Sequence, residues 1–347
     1  MRKLLSAFFI LFYSSNANAI DLGIPVACDY GEDCIIFSYY DKSIEEGVHT
    51  DHTCGKLSYD GHMSTDFMLR SHTQMKDGVN VVASDSGTII FTRDGMSDIS
   101  VELIGEEAVR GRECGNGVII DHKRGYKTEY CHLKNGSITK EMGDYVEKGE
   151  IIGQVGLSGI TSFPYLEFTV SLKGHPIDPF TGDNPITGEV NVPCDSLDIY
   201  PLWDKQTEKR LEYISTSLLT MGFSEKVPHS QGAREGKFSR NIIKNDSKLM
   251  VLWVDIFGIV AGDQLKMSIV DPKGDIIKSE LRPFTKNRRH NFQFIGYKHK
   301  GGELITGKYI GKIELLRKES GEMERVINTS TFVEVVKREK ENQSSDW

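Results

Sequence analysis

The sequence is short of several things, and each shortage closes a class of function. It has no excess of positive charge: 42 Lys and Arg stand against 50 Asp and Glu, giving −8 over 347 residues. A general nucleic-acid binder needs a basic surface to displace counterions, so that class is not expected. The apolar run at residues 4–13 holds about ten residues where a bilayer span needs roughly 20. No stable membrane span is expected from it. There is no CxxC pair, so Cys28, Cys34, Cys54, Cys114, Cys131 and Cys194 do not read as a thiolate zinc cluster. With 38% hydrophobic and 27% charged residues, the composition is that of a folded globular chain, and disorder is not the expectation.

What is present begins with a leader. Arg2 and Lys3, the apolar run and Ala17-Asn18-Ala19 form a positive n-region, a short h-region and an A-x-A cleavage site. The expectation is a signal peptide over 1–19 and a mature, exported chain from Ile20. No Cys follows the cut, so a lipoprotein anchor is not expected. Export gives the cysteines a meaning, because an even number in an oxidising compartment suggests disulfides. Cys114 and Cys131 flank GNGVIIDHKRGYKTEY, two strand-like runs joined by a turn at Lys123-Arg124-Gly125, and are the favoured pair.

The mature chain divides by texture. Residues 20–190 are dense in short β signals at 79–81, 87–91 and 117–121, and Gly143, Gly149, Gly153, Gly156 and Gly159 punctuate brief apolar pieces. From 191 to 245 the chain reads as a helical and loop linker. Leu202, Leu211, Ile214, Leu218 and Leu219 have helical spacing across 202–221, and 230–240 is rich in Gly and charge. Residues 246–337 predict strands at 249–256, 265–270, 292–294 and 309–316, with a turn at Asp271-Pro272-Lys273-Gly274, the pattern of a small β-sandwich. His290 and His299 fall in basic loops and read as solvated, and the polar tail 338–347 reads as disordered. The fold class expected is mainly β: a compact antiparallel sheet core, a short helical linker and a C-terminal β-sandwich.

Three segments carry chemistry. YDGHMSTDFML sets His62 and Asp66 four apart, an imidazole and a carboxylate that one zinc ion can share. EYCHLK places His132 on the strand face of Tyr130. FPYLEFTV, at 163–170, puts Leu166, Phe168 and Val170 on one face and Tyr165, Glu167 and Thr169 on the other.

The order GHMSTDF, GVIIDHKRGYKTEYCHLKNGSI, GDYVEKGEIIGQVGLSGITSFPYLEFTV and HPIDPF resembles the LytM/lysostaphin-like zinc metallopeptidases over about residues 50–182. The resemblance implies a compact antiparallel β core, action on peptides of bacterial peptidoglycan, and a periplasmic location in an exported branch of the family. It implies His62 and Asp66 as zinc ligands and His132 as a catalytic histidine. It also expects H-x-H on the FPYLEFTV strand, the first His catalytic and the second a third zinc ligand. Tyr165 and Glu167 stand there instead.

Glu167 can ligate zinc, but a second carboxylate weakens the metal's acidification of its water and favours harder ions. Tyr165 can donate a hydrogen bond and is a poor proton shuttle at neutral pH. Loss of a positioned acid or base costs ~10²–10⁴ in rate. The expected function is therefore a degenerate or weakly active member that binds the cell wall or regulates its hydrolysis. The alternative is an active zinc metalloendopeptidase with a His62, Asp66 and Glu167 metal site. Implied partners are peptidoglycan and a cell-wall amidase or other envelope protein. His122 reads as a supporting residue and Asp178-Pro179-Phe180 as closing the β core, while His49, His52 and His72 surround the first motif but are not the expected ligands.

Overall fold

The structure is a computed structural model that describes residues 20–182, 194, 199–299 and 301–338. The expected leader at 1–19, and the tail from 339 onward, lie outside the described residues. The fold is mainly β. The first unit is built on the strands β1 (Cys34–Ser38), β2 (Thr65–Leu69), β3 (Asn80–Val82), β4 (Gly87–Arg93), β5 (Asn116–Asp121), β6 (Tyr126–Leu133), β7 (Tyr145–Val146), β8 (Ile151–Gln154), β9 (Tyr165–Leu172) and β10 (His175–Ile177). Its main sheet is antiparallel in the order β1-β2-β9-β6-β5-β4-β7, with β10 also paired to β9, while β3 and β8 form a separate ribbon.

Strand β9 lies at the centre of this arrangement and shows why period two matters. Leu166, Phe168 and Val170 are buried in the core with Phe67, Tyr130 and Trp203. Tyr165, Glu167 and Thr169 therefore point to the other face. On that face Glu167 is directly opposite Asp66 of β2 and Cys131 of β6. Sheet register, rather than sequence proximity, brings the three motif segments together.

The hairpin β5–β6 turns through Lys123 and Arg124, both at positive φ, and Gly125. Across it Cys114 and Cys131 form a disulfide, alongside Cys28–Cys34 and Cys54–Cys194. At the far end of β6 the chain must pass close to Gly156, where a Cβ would stand 2.3 Å from the Lys134 amide nitrogen. Glycine is needed there because only it lets the two backbones approach.

The second unit contains β11 (Ser217–Ser224), β12 (Ile242–Lys244), β13 (Leu249–Ile259), β14 (Gln264–Val270), β15 (Ile276–Pro283), β16 (Arg288–Lys298), β17 (Gly307–Glu319) and β18 (Glu322–Val336). They make a three-stranded sheet, β11-β13-β16, and a five-stranded sheet, β12-β18-β17-β14-β15. Leu252, Val254 and Ile256 of one meet Leu265, Met267, Ile313 and Val333 of the other in a shared core. That is a β-sandwich.

Two local expectations change. The helical spacing across 202–221 yields a helix only at Lys205–Arg210, and Ser217–Ser224 is a strand antiparallel to β13. Pairing with a hydrophobic strand some thirty residues away in sequence overrides a local pattern that either period could satisfy. His290 is not in a solvated loop: it lies on β16, with its Nε2 3.5 Å from the buried Asp255.

The two units share a small core of Ile35, Met68 and Phe163 with Leu219 and Phe257. Arg70 of the first unit donates to Ser217 Oγ at 2.6 Å and to the Leu218 carbonyl. Arg234 of the second stacks over Phe163.

Candidate functional site

The site is assembled from one loop and three strands. His62 comes from the loop before β2, Asp66 from β2, His132 from the end of β6, and Tyr165 and Glu167 from β9. The structure arranges the four polar ionisable groups as two pairs.

In the first pair His62 Nε2 is 3.0 Å from Asp66 Oδ2, both side chains being buried. Ser64 Oγ closes a small ring, donating to Asp66 Oδ1 and contacting His62 Nε2, each at 2.8 Å. His62 Nδ1 lies 2.8 Å from the Tyr39 carbonyl, an acceptor that requires the proton on that nitrogen. Both ring nitrogens thus face acceptors, which suits an imidazolium. Burial works to lower the His62 pKa, but the charge and hydrogen bond of Asp66, the Tyr39 carbonyl and the charge of Glu167 together raise it above its ordinary value. Tyr59 covers the ring, with centroids 4.2 Å apart.

The second pair is His132 with Glu167. His132 sits at φ 63°, a left-handed conformation that a non-glycine residue adopts only when its surroundings impose it. Those surroundings are the backbone bond from its amide to the Cys114 carbonyl at 2.8 Å and the contact of its Nδ1 with the Ser158 carbonyl at 2.7 Å. The disulfide at Cys131 ties down the preceding residue. The carbonyl fixes the proton on Nδ1, so Nε2 turns to Glu167 Oε2, 3.4 Å away. At that length the contact is electrostatic rather than a good hydrogen bond, and His132 Nε2 is buried with no hydrogen-bond partner. Burial opposes ionisation of Glu167, but the neighbouring His132 and His62 outweigh it and hold its pKa below the ordinary value.

Tyr165 packs edge-on against His132 at 4.7 Å and against Phe37 at 5.1 Å. Burial first, then the charges of Asp66 and Glu167, raise its hydroxyl pKa well above the usual range. It remains a protonated donor throughout the physiological range.

Two ligands of one zinc ion, each about 2.0–2.1 Å from the metal in a tetrahedron, lie about 3.4 Å apart. His62 and Asp66, at 3.0 Å, are close to that spacing. The third donor does not join them. Among the described residues the one group of three metal-type donors within 4.8 Å of one another is Cys114, Glu129 and Cys131, and its sulfurs are tied in a disulfide. The donor set therefore does not fit a three-ligand zinc site. Each carboxylate instead faces an imidazole.

The remaining histidines serve elsewhere. His122 contacts the Ser86 carbonyl at 2.9 Å and Thr128 Oγ1 at 2.7 Å. His52 stacks on Phe180 in the aromatic cluster of Tyr39 and Tyr213. His72 packs on Phe163, and burial lowers its pKa.

Two contributors were not singled out from the sequence. Ser64 bridges the first pair from within the motif itself. Arg289 comes from the second unit, donating to the Phe37 carbonyl at 2.7 Å and stacking over the Phe37 ring. Its charge acts on Tyr59, and the charge of Asp66 acts on it. The adjacent Arg288-Arg289 pair in an acidic chain was the signal that could have drawn attention to it.

His62, Asp66 and His132 thus gather around the central strand of an antiparallel β core. Residues 71–179 match the family model described as Peptidase family M23. The match takes in His132, Tyr165 and Glu167, while His62 and Asp66 precede it. The chain is 30% identical to the cell division protein DipM of Caulobacter vibrioides over 128 residues, 34% of this chain and 19% of that protein. It is 36% identical to the peptidoglycan DD-endopeptidase ShyB of Vibrio cholerae over 72 residues, 21% and 16% of the two chains. The chain spans about a fifth of the length of these relatives. Among solved structures, a zinc-containing peptidase from Vibrio cholerae aligns over 48% of this chain and 40% of its own, at 22% identity and a TM-score of 0.31.

Proposed function

We propose that the protein is exported and directed to peptidoglycan, and that its M23 domain binds the wall or regulates wall hydrolysis without hydrolysing it. One observation carries this reading: the site is divided into a His62–Asp66 pair and a His132–Glu167 pair, with no third donor beside the first. A hydrolytic site of this family type needs a metal that acidifies water and a free group to move its proton. Here Tyr165 is held as a donor and each carboxylate faces an imidazole. That constellation can hold a polar ligand by hydrogen bonds.

The relatives support the direction. ShyB is named as acting on peptidoglycan, and DipM is named for cell division. The leader-like segment at 1–19 and the three disulfides agree with export to the periplasm. A cell-wall amidase or another envelope protein fits the regulatory role as partner. The domain limits that go with this reading are 20–190 for the M23-type domain, 191–245 for the connection and 246–337 for the sandwich.

The test combines sedimentation with purified sacculi and release of dye from labelled peptidoglycan, with zinc supplied. Co-sedimentation without release is the expected result. Release that disappears in His62→Ala would overturn the reading and establish the alternative peptidase.

A further inference from the structure

A cleft of about 440 Å³ lies where the two units meet, beside the site. First-unit residues His49, Lys56 and Tyr59 form one wall, and Asn287, Arg288 and Arg289 of the sandwich form the other. Its titratable lining is basic or phenolic and contains no carboxylate, although the whole chain carries a net charge of −8. Among the described residues, no Asp or Glu oxygen lies within 4.0 Å of the cationic groups of Lys56, Arg288 or Arg289. Lys56 donates to the His49 carbonyl at 2.8 Å and Arg289 to the Phe37 carbonyl at 2.7 Å, so neutral oxygens orient both and neither is spent in a direct ion pair. The acid behind this wall, Asp51, is occupied by the Thr53, Gly55 and Leu57 amides and the Tyr213 hydroxyl.

Cationic side chains in a lining without carboxylates make the cleft attractive to an entering anion. A guanidinium fork such as that of Arg289 suits a planar oxyanion, which it can grip in a bidentate way, with the Lys56 ammonium as a second point charge. The rest of the lining selects among anions. Leu57, Ile259 and Val260 add apolar surface and Asn287 adds an amide. A bare phosphate would leave that surface unused, whereas a short peptide with small side chains would cover it. Tyr59 belongs to both the cleft and the His62 ring stack, so a chain anchored here runs toward the two imidazole–carboxylate pairs.

We propose that this interdomain cleft binds the free C-terminal carboxylate of a short peptide, with Lys56 and Arg289 holding the carboxylate. The proposal rests on the peptidoglycan-directed reading, whose stem peptides end in such a carboxylate, and it gives the sandwich a role: it supplies half of the ligand site.

The test is calorimetric titration of the full chain with N-acetyl-D-Ala-D-Ala as the free acid, with the same peptide as its C-terminal amide, and with inorganic phosphate. The free acid should bind at least about tenfold tighter than the amide, the size expected for a charge-assisted contact. Arg289→Gln and Lys56→Gln should each weaken the acid several-fold, and Lys286→Gln, in the turn before β16 and outside the lining, should not. Equal binding of acid and amide, or binding of neither, overturns the proposal. So does phosphate binding without binding of the acid. If Arg289→Gln fails to fold by circular dichroism, the acid–amide comparison on the unaltered chain still decides. Sedimentation with sacculi in parallel separates the two claims. Retained sedimentation with no acid–amide difference refutes the cleft alone, and lost sedimentation refutes the functional reading beneath it.

Discussion

Replacing Glu167 by histidine should convert the divided site into one that captures zinc. Glu167 stands directly opposite Asp66 across the β2–β9 ladder, and opposed residues have Cβ atoms about 4.5–5.5 Å apart. An imidazole at 167 can therefore aim a ring nitrogen at the His62–Asp66 pair, whose 3.0 Å separation already approaches that of two ligands on one ion. The change also removes one negative charge from the site and releases His132 from its 3.4 Å contact with the carboxylate. Outer partners of a metal site are worth about 10–100-fold in affinity, so gain of an actual ligand should be worth at least ~100-fold, or about 2.7 kcal/mol. The assay is competition against a chromophoric chelator, backed by metal content after desalting. Zinc at a hundred times the dissociation constant should also add about 2.7 kcal/mol to the unfolding free energy, read as a zinc-dependent rise in melting temperature. The gain should vanish in the His62→Ala, Glu167→His double variant. Equal zinc affinity in the unaltered chain and in Glu167→His would refute the reasoning, because it would mean that Glu167 already serves as the third ligand.

Three further outcomes follow from the same structure. Asp255 is fully buried, its Oδ2 2.8 Å from Arg234 Nε, and burial pushes its pKa up to about 6 against the pull of that guanidinium. Because the folded value lies above the unfolded one of about 3.9, the group favours the folded state most below the unfolded pKa and loses that contribution as pH rises through 6. Arg234→Ala should accordingly cost about 3–5 kcal/mol at pH 8 and much less at pH 5, measured by urea unfolding; a cost independent of pH would count against this. Phe168 is fully buried, with its ring centroid 5.3 Å from Tyr130 and 5.8 Å from Trp203, so Phe168→Ala should destabilise the first unit by about 3–5 kcal/mol in the same assay. Replacing Cys114 and Cys131 together by serine opens a link across 17 residues and should cost about 3 kcal/mol, while sacculus binding should weaken because His132 loses its anchored neighbour.

The alternation in FPYLEFTV was legible because a strand buried on one face must show period two, and β9 follows it from Tyr165 through Val170. The hairpin, its cysteine pair and four of the eight described strands of the second unit (β13, β14, β16 and β17) were legible for related local reasons. The strand at Ser217–Ser224 was not, because Leu218 and Leu219 satisfy a helical pattern as well as a β one, and only the partner β13 decides between them. The site itself was half legible. The residues of the motifs could be named, but their division into two pairs depends on side-chain directions set by the register of β2, β9 and β6. Arg289 was out of reach of local reasoning: more than 200 residues separate it from Asp66 in sequence, and only packing of the sandwich against Phe37 brings its charge there.

The division of the site is tested most directly by diffraction from crystals of the unaltered chain grown with excess zinc, with anomalous data collected at the zinc edge. The account predicts His62 in contact with Asp66, Glu167 turned to His132, and no ion held by three protein ligands. A zinc peak within about 2.2 Å of His62, Asp66 and Glu167 together would contradict it.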